Sequence, residues 1–463
     1  MTDLTPASTA REMAAAVRER RVSARELLDL HLARIEERNP ELNAIVSLDV
    51  DRATRGARAA DDHLARGGEL GPLHGLPFAV KDTHAVAGWR TTYGSPLFAD
   101  HVPDADDLIV ERVRRAGVVL LGKTNVPEFA AGSHTFNTIF GTTRNPVDPS
   151  RSAGGSSGGA AAALASGMVP LADGSDMGGS LRNPASFCGV VGLRPSLGRV
   201  PEWPQPNLWE TTSVGGPLAR NVGDVALLLS VLAGPDPRSP QALGDPGAAF
   251  APPLSGTLRG LRIAWSLDLG GAFQVDREVA GVIEDAGRLM ARNGARTFGA
   301  WPELEHADET FRTLRAWHFQ ARFGRLLAAN PGAFKQSLAD NIRAGESLTG
   351  ADVAEAYERR TILADRMRRF FTDYDVLVLP VSQVPPFPAD QEFPREINGA
   401  PLHSYLDWMR SAYFITVTGC PAISVPAGTT PSGLPVGVQI VAPHGADRRL
   451  LEIAAAFEAA CQG

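Results

Sequence analysis

SAGGSSGGAAAALASGMVPLADGSDMGGSLRNPASFCGVVGLRP, residues 152–195, carries two glycine-flanked serines, Ser156 and Ser180, set 24 residues apart. Glycines on both sides open backbone conformations closed to other residues and let the chain approach a ligand closely. In Gly178-Gly179-Ser180 they also leave backbone N–H groups unshielded by side chains. A hydroxyl beside bare N–H donors supplies what acyl transfer requires: a nucleophile, and donors for the oxyanion it creates. Read alone, GGSSGG has the composition of a flexible linker. A linker does not run straight into AAAALASG, a strong helix former, and on through an apolar stretch to a second Gly-Gly-Ser.

The chain around this stretch has 463 residues, 44% of them hydrophobic, enough for a large core. Its formal net charge is −7 and it shows no basic stripe, so no nucleic-acid partner is expected. Cys188, Cys420 and Cys461 are too scattered for a disulfide framework or a zinc site. The histidines show no HExxH or close-paired spacing, so no metal is expected. The start, MTDLTPASTAREMAAAV, lacks a signal peptide's basic end and apolar run. No apolar run reaches the roughly 18 residues of a membrane span. The expectation is a cytoplasmic protein with no membrane segment.

Outward from the serines, apolar strands alternate with helices. Ser23-Ala-Arg-Glu26 reads as a capping box inside a helical region over 7–38, closed by Asn39-Pro40. A second helix is expected over 51–66, stopping at Gly67-Gly68. Leu76–Val80 reads as a buried strand with Lys81 at its end, 104–116 as a helix with acids first and arginines last, and 118–121 as a further buried strand. Helices are expected at 221–232, 276–293, 303–330, 349–371 and 447–461, and strands at 261–265, 375–380, 421–426 and 436–441. Such alternation implies a sheet buried on both faces within one α/β domain.

Two motifs compete with the paired serines. Gly117–Thr124 fits the phosphate-loop pattern GxxxxGK[ST], but its inner positions are VVLL, themselves a strand rather than an open loop. Gly154–Gly158 fits GxSxG, the nucleophile elbow, but Asn145–Arg151 is no strand to precede it. An elbow would need a histidine downstream, from His306, His318, His403 and His444. Cys188, in SFCGVVGL, reads as a small core side chain. A lysine at the end of an apolar strand has its charged form disfavoured by burial, and a neutral amine can accept a proton.

GGSSGG followed by GSDMGGSLRNPASFCGVVGLRPS resembles the amidase signature family, serine hydrolases with a Ser–Ser–Lys triad. The resemblance extends through GPLHGLPFAVKDTHAVAGWRTTYGSP (71–96), GVVLLGKTNVPEFA (117–130) and FGTTRNPVDPSRSAGGSSGG (140–159), and resumes in DVLVLP (375–380) and GCPAISVPAG…GLPVGVQIV (419–441). Residues 240–370 carry little of the pattern, and Ser175 stands where the family usually has threonine. The resemblance implies a single large domain over 1–463 with a mixed central sheet covered by helices on both faces. Its motif core lies at about 71–195 and a helix-rich, substrate-covering region at about 300–410.

By the same resemblance Ser180 is the nucleophile, Ser156 the proton relay beside a cis peptide bond, and Lys81 the terminal base. The backbone N–H groups of Met177, Gly178, Gly179 and Ser180 form the oxyanion hole, and Ser157, Asp176 and Arg182 brace the loop. The reaction implied is hydrolysis of small-molecule acyl or aryl amides, with carbamates and esters as further substrates. Its partners are the amide and water, with no metal or organic cofactor, in a monomer or homodimer. Two alternatives remain. One is the glutaminase component of a tRNA-dependent glutamyl/aspartyl amidotransferase, its A chain, although residues 317–350 lack the tyrosine- and glycine-rich pattern associated with it. The other is an elbow-type esterase. Aromatic residues outside the core either line an apolar pocket or pack between helices; Trp209 and Trp317 are expected to face the site.

Overall fold

Among the described residues eleven strands join in one mixed sheet. They are β1 (Ile45–Leu48), β2 (Pro77–Lys81), β3 (Val119–Thr124), β4 (Leu171–Asp176), β5 (Val191–Arg194), β6 (Val214–Ala219), β7 (Arg262–Trp265), β8 (Arg296–Gly299), β9 (Val376–Pro380), β10 (Ala422–Thr429) and β11 (Pro435–Val441). Their order is β1-β3-β2-β4-β6-β5-β10-β11-β9-β7-β8. Strands β2, β3 and β4 pair in parallel, as do β9, β7 and β8, while the middle of the sheet is antiparallel. This computed structural model describes residues 4–462.

Strands β2, β3, β4 and β9 are buried nearly throughout; in β2 and β9 this matches near-continuous apolar runs, whereas β3 (VLLGKT) and β4 (LADGSD) also bury polar side chains. Helices pack on both faces, and the apolar core divides into clusters on either side of the sheet. The capping box at Ser23 forms as read, with the Ser23 hydroxyl accepting from the Glu26 N–H. The helix it opens runs on to Leu42, through Pro40. Pro40 falls in the last turn, where only one intrahelical bond is lost, and Asn39 Oδ1 accepts the N–H groups of Ala44 and Ile45 beyond it. The helix expected from residue 104 begins only at Leu108. Asp106 and Asp107 spend their carboxylates on the N–H groups of Ala87 and Ala85 in a neighbouring turn.

Gly117–Thr124 is no phosphate loop: Val119–Thr124 is strand β3 and Lys123 is wholly buried. The serine stretch becomes the helix Gly158–Ala165, strand β4, the Met177–Leu181 loop and the helix Arg182–Cys188. The first of these helices is buried from Gly158 to Leu164. A Cβ on Gly159 would lie 2.3 Å from the Asn125 nitrogen. Cys188 is buried there with its thiol pushed up by desolvation, an inert core group as read.

Candidate active site

Strand β2 ends by delivering Lys81 into a nest of hydroxyls. Its Nζ lies 3.0 Å from Ser156 Oγ, 2.9 Å from Ser157 Oγ and 2.9 Å from Ser175 Oγ. Three hydroxyls match the three donors of an ammonium group. The neutral amine has a lone pair instead, so one hydroxyl can then donate to it. Burial pushes Lys81 down from 10.5 to about 7, against the opposing pull of Asp173 and then Asp176. A lysine in this state is about half neutral at pH 7. The Gly155–Ser156 peptide bond is cis.

The two serine loops are tied to each other. Ser157 N–H donates to the Ser180 carbonyl at 3.2 Å. Asn183 Nδ2 donates to Ser133 Oγ, which donates to the Gly155 carbonyl at 2.6 Å. Below Ser180, Asp176 and Arg182 are wholly buried and joined by two bonds of 2.8 and 3.0 Å, and Arg194 meets the same carboxylate from the other side. Burial alone would raise Asp176, but the guanidinium of Arg182, with Arg194, holds it far below the usual carboxylate range. It stays an anion and accepts the N–H groups of Gly179 and Leu181 at 2.9 and 3.1 Å. Gly179 takes φ +105°, and a Cβ there would lie 2.6 Å from Asn183 Nδ2.

That bond corrects one expectation. The Gly179 N–H faces Asp176 and is not free for an oxyanion. Among the described residues the N–H groups of Met177, Gly178 and Ser180 have no protein acceptor. The commitment of Gly179 depends on how Asp176 turns its carboxylate, which the sequence does not state.

Ser156, Ser180 and Ser175 open into a cavity of about 320 Å³. One wall is the loop between β5 and β6, and the other is the helix Ala307–Ala329 with Trp317, Phe319 and Phe323. Trp317 therefore faces the site. Trp209 does not: its neighbours Leu208 and Glu210 line the cavity while Trp209 is 67% exposed. The inward-facing Glu210 is held by the N–H groups of Thr212 and Ser213, which its carboxylate accepts. Trp408 is core, stacked on Phe187. Of the four histidines an elbow mechanism would draw on, only His318 lines the cavity, and none bonds to either serine. Sequence reading missed His84, which lines the cavity with Nδ1 on Asp173. Its closeness in sequence to Lys81 was the only signal available.

A mixed sheet that presses a buried lysine against glycine-flanked serines is the arrangement of the amidase-signature class of enzymes. The chain belongs to that family: the amidase family model matches residues 26–451. It is 39% identical over 454 residues to an acylamidase from Rhodococcus erythropolis, covering 97% of this chain and 95% of that one. It is 36% identical to the A chain of the glutamyl-tRNA(Gln) amidotransferase from Synechococcus sp. (strain CC9605), covering 95% and 94%. The crystal structure of a bacterial aryl acylamidase superposes with a TM-score of 0.90 at 31% identity, covering 98% of this chain and 96% of that one.

Proposed function

We propose that the chain is a serine hydrolase of small-molecule amide C–N bonds. The observation that carries the reading is Lys81, buried, pushed toward neutrality and 3.0 Å beneath Ser156 Oγ, which itself lines an aromatic-walled cavity. Neutral Lys81 takes a proton from Ser156, Ser156 takes one from Ser180, and Ser180 Oγ bonds to the amide carbon. The N–H groups of Met177, Gly178 and Ser180 hold the oxyanion; one such donor typically contributes about 3–4 kcal/mol in the transition state. The C–N bond then breaks as the proton returns through Ser156 to the amine. Water, activated by the same relay, frees the acid from Ser180. Ser157 and Ser175 hold Lys81 in line, and Asp176 with Arg182 holds the loop.

Trp317, Phe319 and Phe323 favour acyl or aryl amides, with carbamates and esters following from the shared carbonyl addition, and the helices of about 300–410 cover the substrate. Three free cysteines fit a cytoplasmic enzyme, which we take to act as a monomer or homodimer. The test is turnover of an acetanilide against glutamine, together with intact-mass analysis under acyl-enzyme accumulation. The expected result is anilide cleavage, little glutaminase activity, and an acyl adduct absent from Ser180→Ala. Glutamine turned over better than the anilide would shift the reading to the amidotransferase component; full anilide activity in Ser180→Ala would end it.

A further inference from the structure

Asp173, in strand β4 and only 1% exposed, reaches across to the end of β2. Its Oδ1 accepts the main-chain N–H of Lys81 at 3.0 Å, and its Oδ2 accepts from Nδ1 of His84 at 2.5 Å. His84 donates its own N–H to the Lys81 carbonyl at 2.9 Å, and its carbonyl accepts from Lys123 Nζ. The turn carrying Lys81 is therefore closed on itself and stapled at both ends to one carboxylate. The reaction as drawn makes no use of that carboxylate.

We propose that Asp173 is a positioning residue for amide hydrolysis, fixing the turn that carries Lys81 and setting by its charge the pH at which Lys81 acts. This rests on Lys81 being the base. The carboxylates around it differ in their partners. Asp82, next in sequence, lies 3.9 Å from Lys123 of β3. Asp176, at the end of β4, is shared between Arg182 and Arg194. Among the described residues Asp173 has the His84 imidazole as its one close ion-pair partner, with the buried Lys123, whose nearer carboxylate is Asp82, acting on it from farther off. With two guanidiniums on Asp176 and none on Asp173, Asp173 is the anion whose field reaches Lys81 least cancelled, and it stands ahead of Asp176 among the groups that raise Lys81. An anion favours the charged form of an amine. Without that charge, Lys81 loses its proton at lower pH.

Asp173→Asn keeps an oxygen for the Lys81 N–H and removes the charge. The experiment measures kcat/KM against pH on an uncharged anilide for the wild type, Asp173→Asn and His84→Asn. The wild-type acid limb is expected near pH 7, to which burial pushes Lys81. The limb of Asp173→Asn should lie about one pH unit lower. His84→Asn loosens the staple and leaves the carboxylate, so its plateau should fall while its limb stays or moves up. An Asp173→Asn limb at the wild-type pH would overturn the proposal, whatever its plateau. If Asp173→Asn does not fold, the His84→Asn limb decides: a move to lower pH would assign the effect to the imidazole and overturn it. Lys81→Ala separates the two readings, because residual activity with the wild-type limb would overturn Lys81 as the base itself.

Discussion

Replacing Lys81 by methionine should stabilise the protein while destroying its activity, and the gain should depend on pH in a set direction. The fall of Lys81 from 10.5 in water to about 7 in the fold corresponds to roughly 5 kcal/mol. Below pH 7 both folded and unfolded chains carry the ammonium, and the fold bears the whole cost of burying it. Between about 7 and 10.5 the unfolded chain holds the proton and the folded one has released it, so wild-type stability rises with pH across that window. Methionine has a similar length and no charge to bury. It also gives up three hydroxyl contacts, each contributing about 1 kcal/mol net. The expected gain is therefore a few kcal/mol at pH 6, shrinking by roughly 3 kcal/mol at pH 9.5. Urea unfolding of both proteins at the two pH values reads this difference, in which all other titrating groups cancel. Amide turnover should fall by about 10²–10⁴-fold. A stability difference that stayed flat with pH, or widened toward alkaline pH, would refute the argument that desolvation sets the state of Lys81.

Two further outcomes follow from the geometry. Asp176→Asn leaves Arg182 and Arg194 buried without their anion and should cost about 3–5 kcal/mol of stability, read by urea unfolding; activity should fall further than the stability loss explains, because the amide keeps one acceptor oxygen and either Gly179 or Leu181 loses its anchor. Trp317→Ala should raise KM for an anilide several-fold, whereas Trp209→Ala, on a side chain 67% exposed and outside the cavity, should leave steady-state kinetics unchanged; equal effects of the two would remove Trp317 from the pocket wall.

The serine stretch and the strand leading to Lys81 were legible because each is local, whereas Asp176 and Arg182 came from the family resemblance. An apolar run ending in a lysine, or glycines around a hydroxyl, leaves little choice of conformation. Features that join distant segments were not legible. Asp173 and His84 lie 89 positions apart, and nothing in either neighbourhood selects the other. Strand β8 is mostly exposed at the sheet edge and so carries no apolar signature. The inward turn of Glu210 and the outward turn of Trp209 belong to a proline-rich loop with no periodicity to assign faces.

That loop and the helix Ala307–Ala329 make the walls of a cavity whose floor comes from residues 83–84, 156, 175, 177–178 and 180, resting on the buried Lys81 and Asp176. The two parts are held by different physics. Floor atoms are each fixed by several directed bonds: three hydroxyls on Lys81, two N–H groups and two guanidiniums on Asp176. One substitution there breaks a set of bonds together and leaves buried charge or donors unpaired. The wall aromatics meet by ring contacts of varied geometry, edge-on between Phe319 and Phe323 with ring centres 5.8 Å apart and tilted between Phe323 and Phe129 at 4.6 Å. Side chains of other shapes can fill such space at small cost. Substrate preference is thus carried by positions that can change without disturbing the proton path, and wall substitutions such as Phe319→Leu should redistribute activity among amides while the pH limb stays where Lys81 and Asp173 place it.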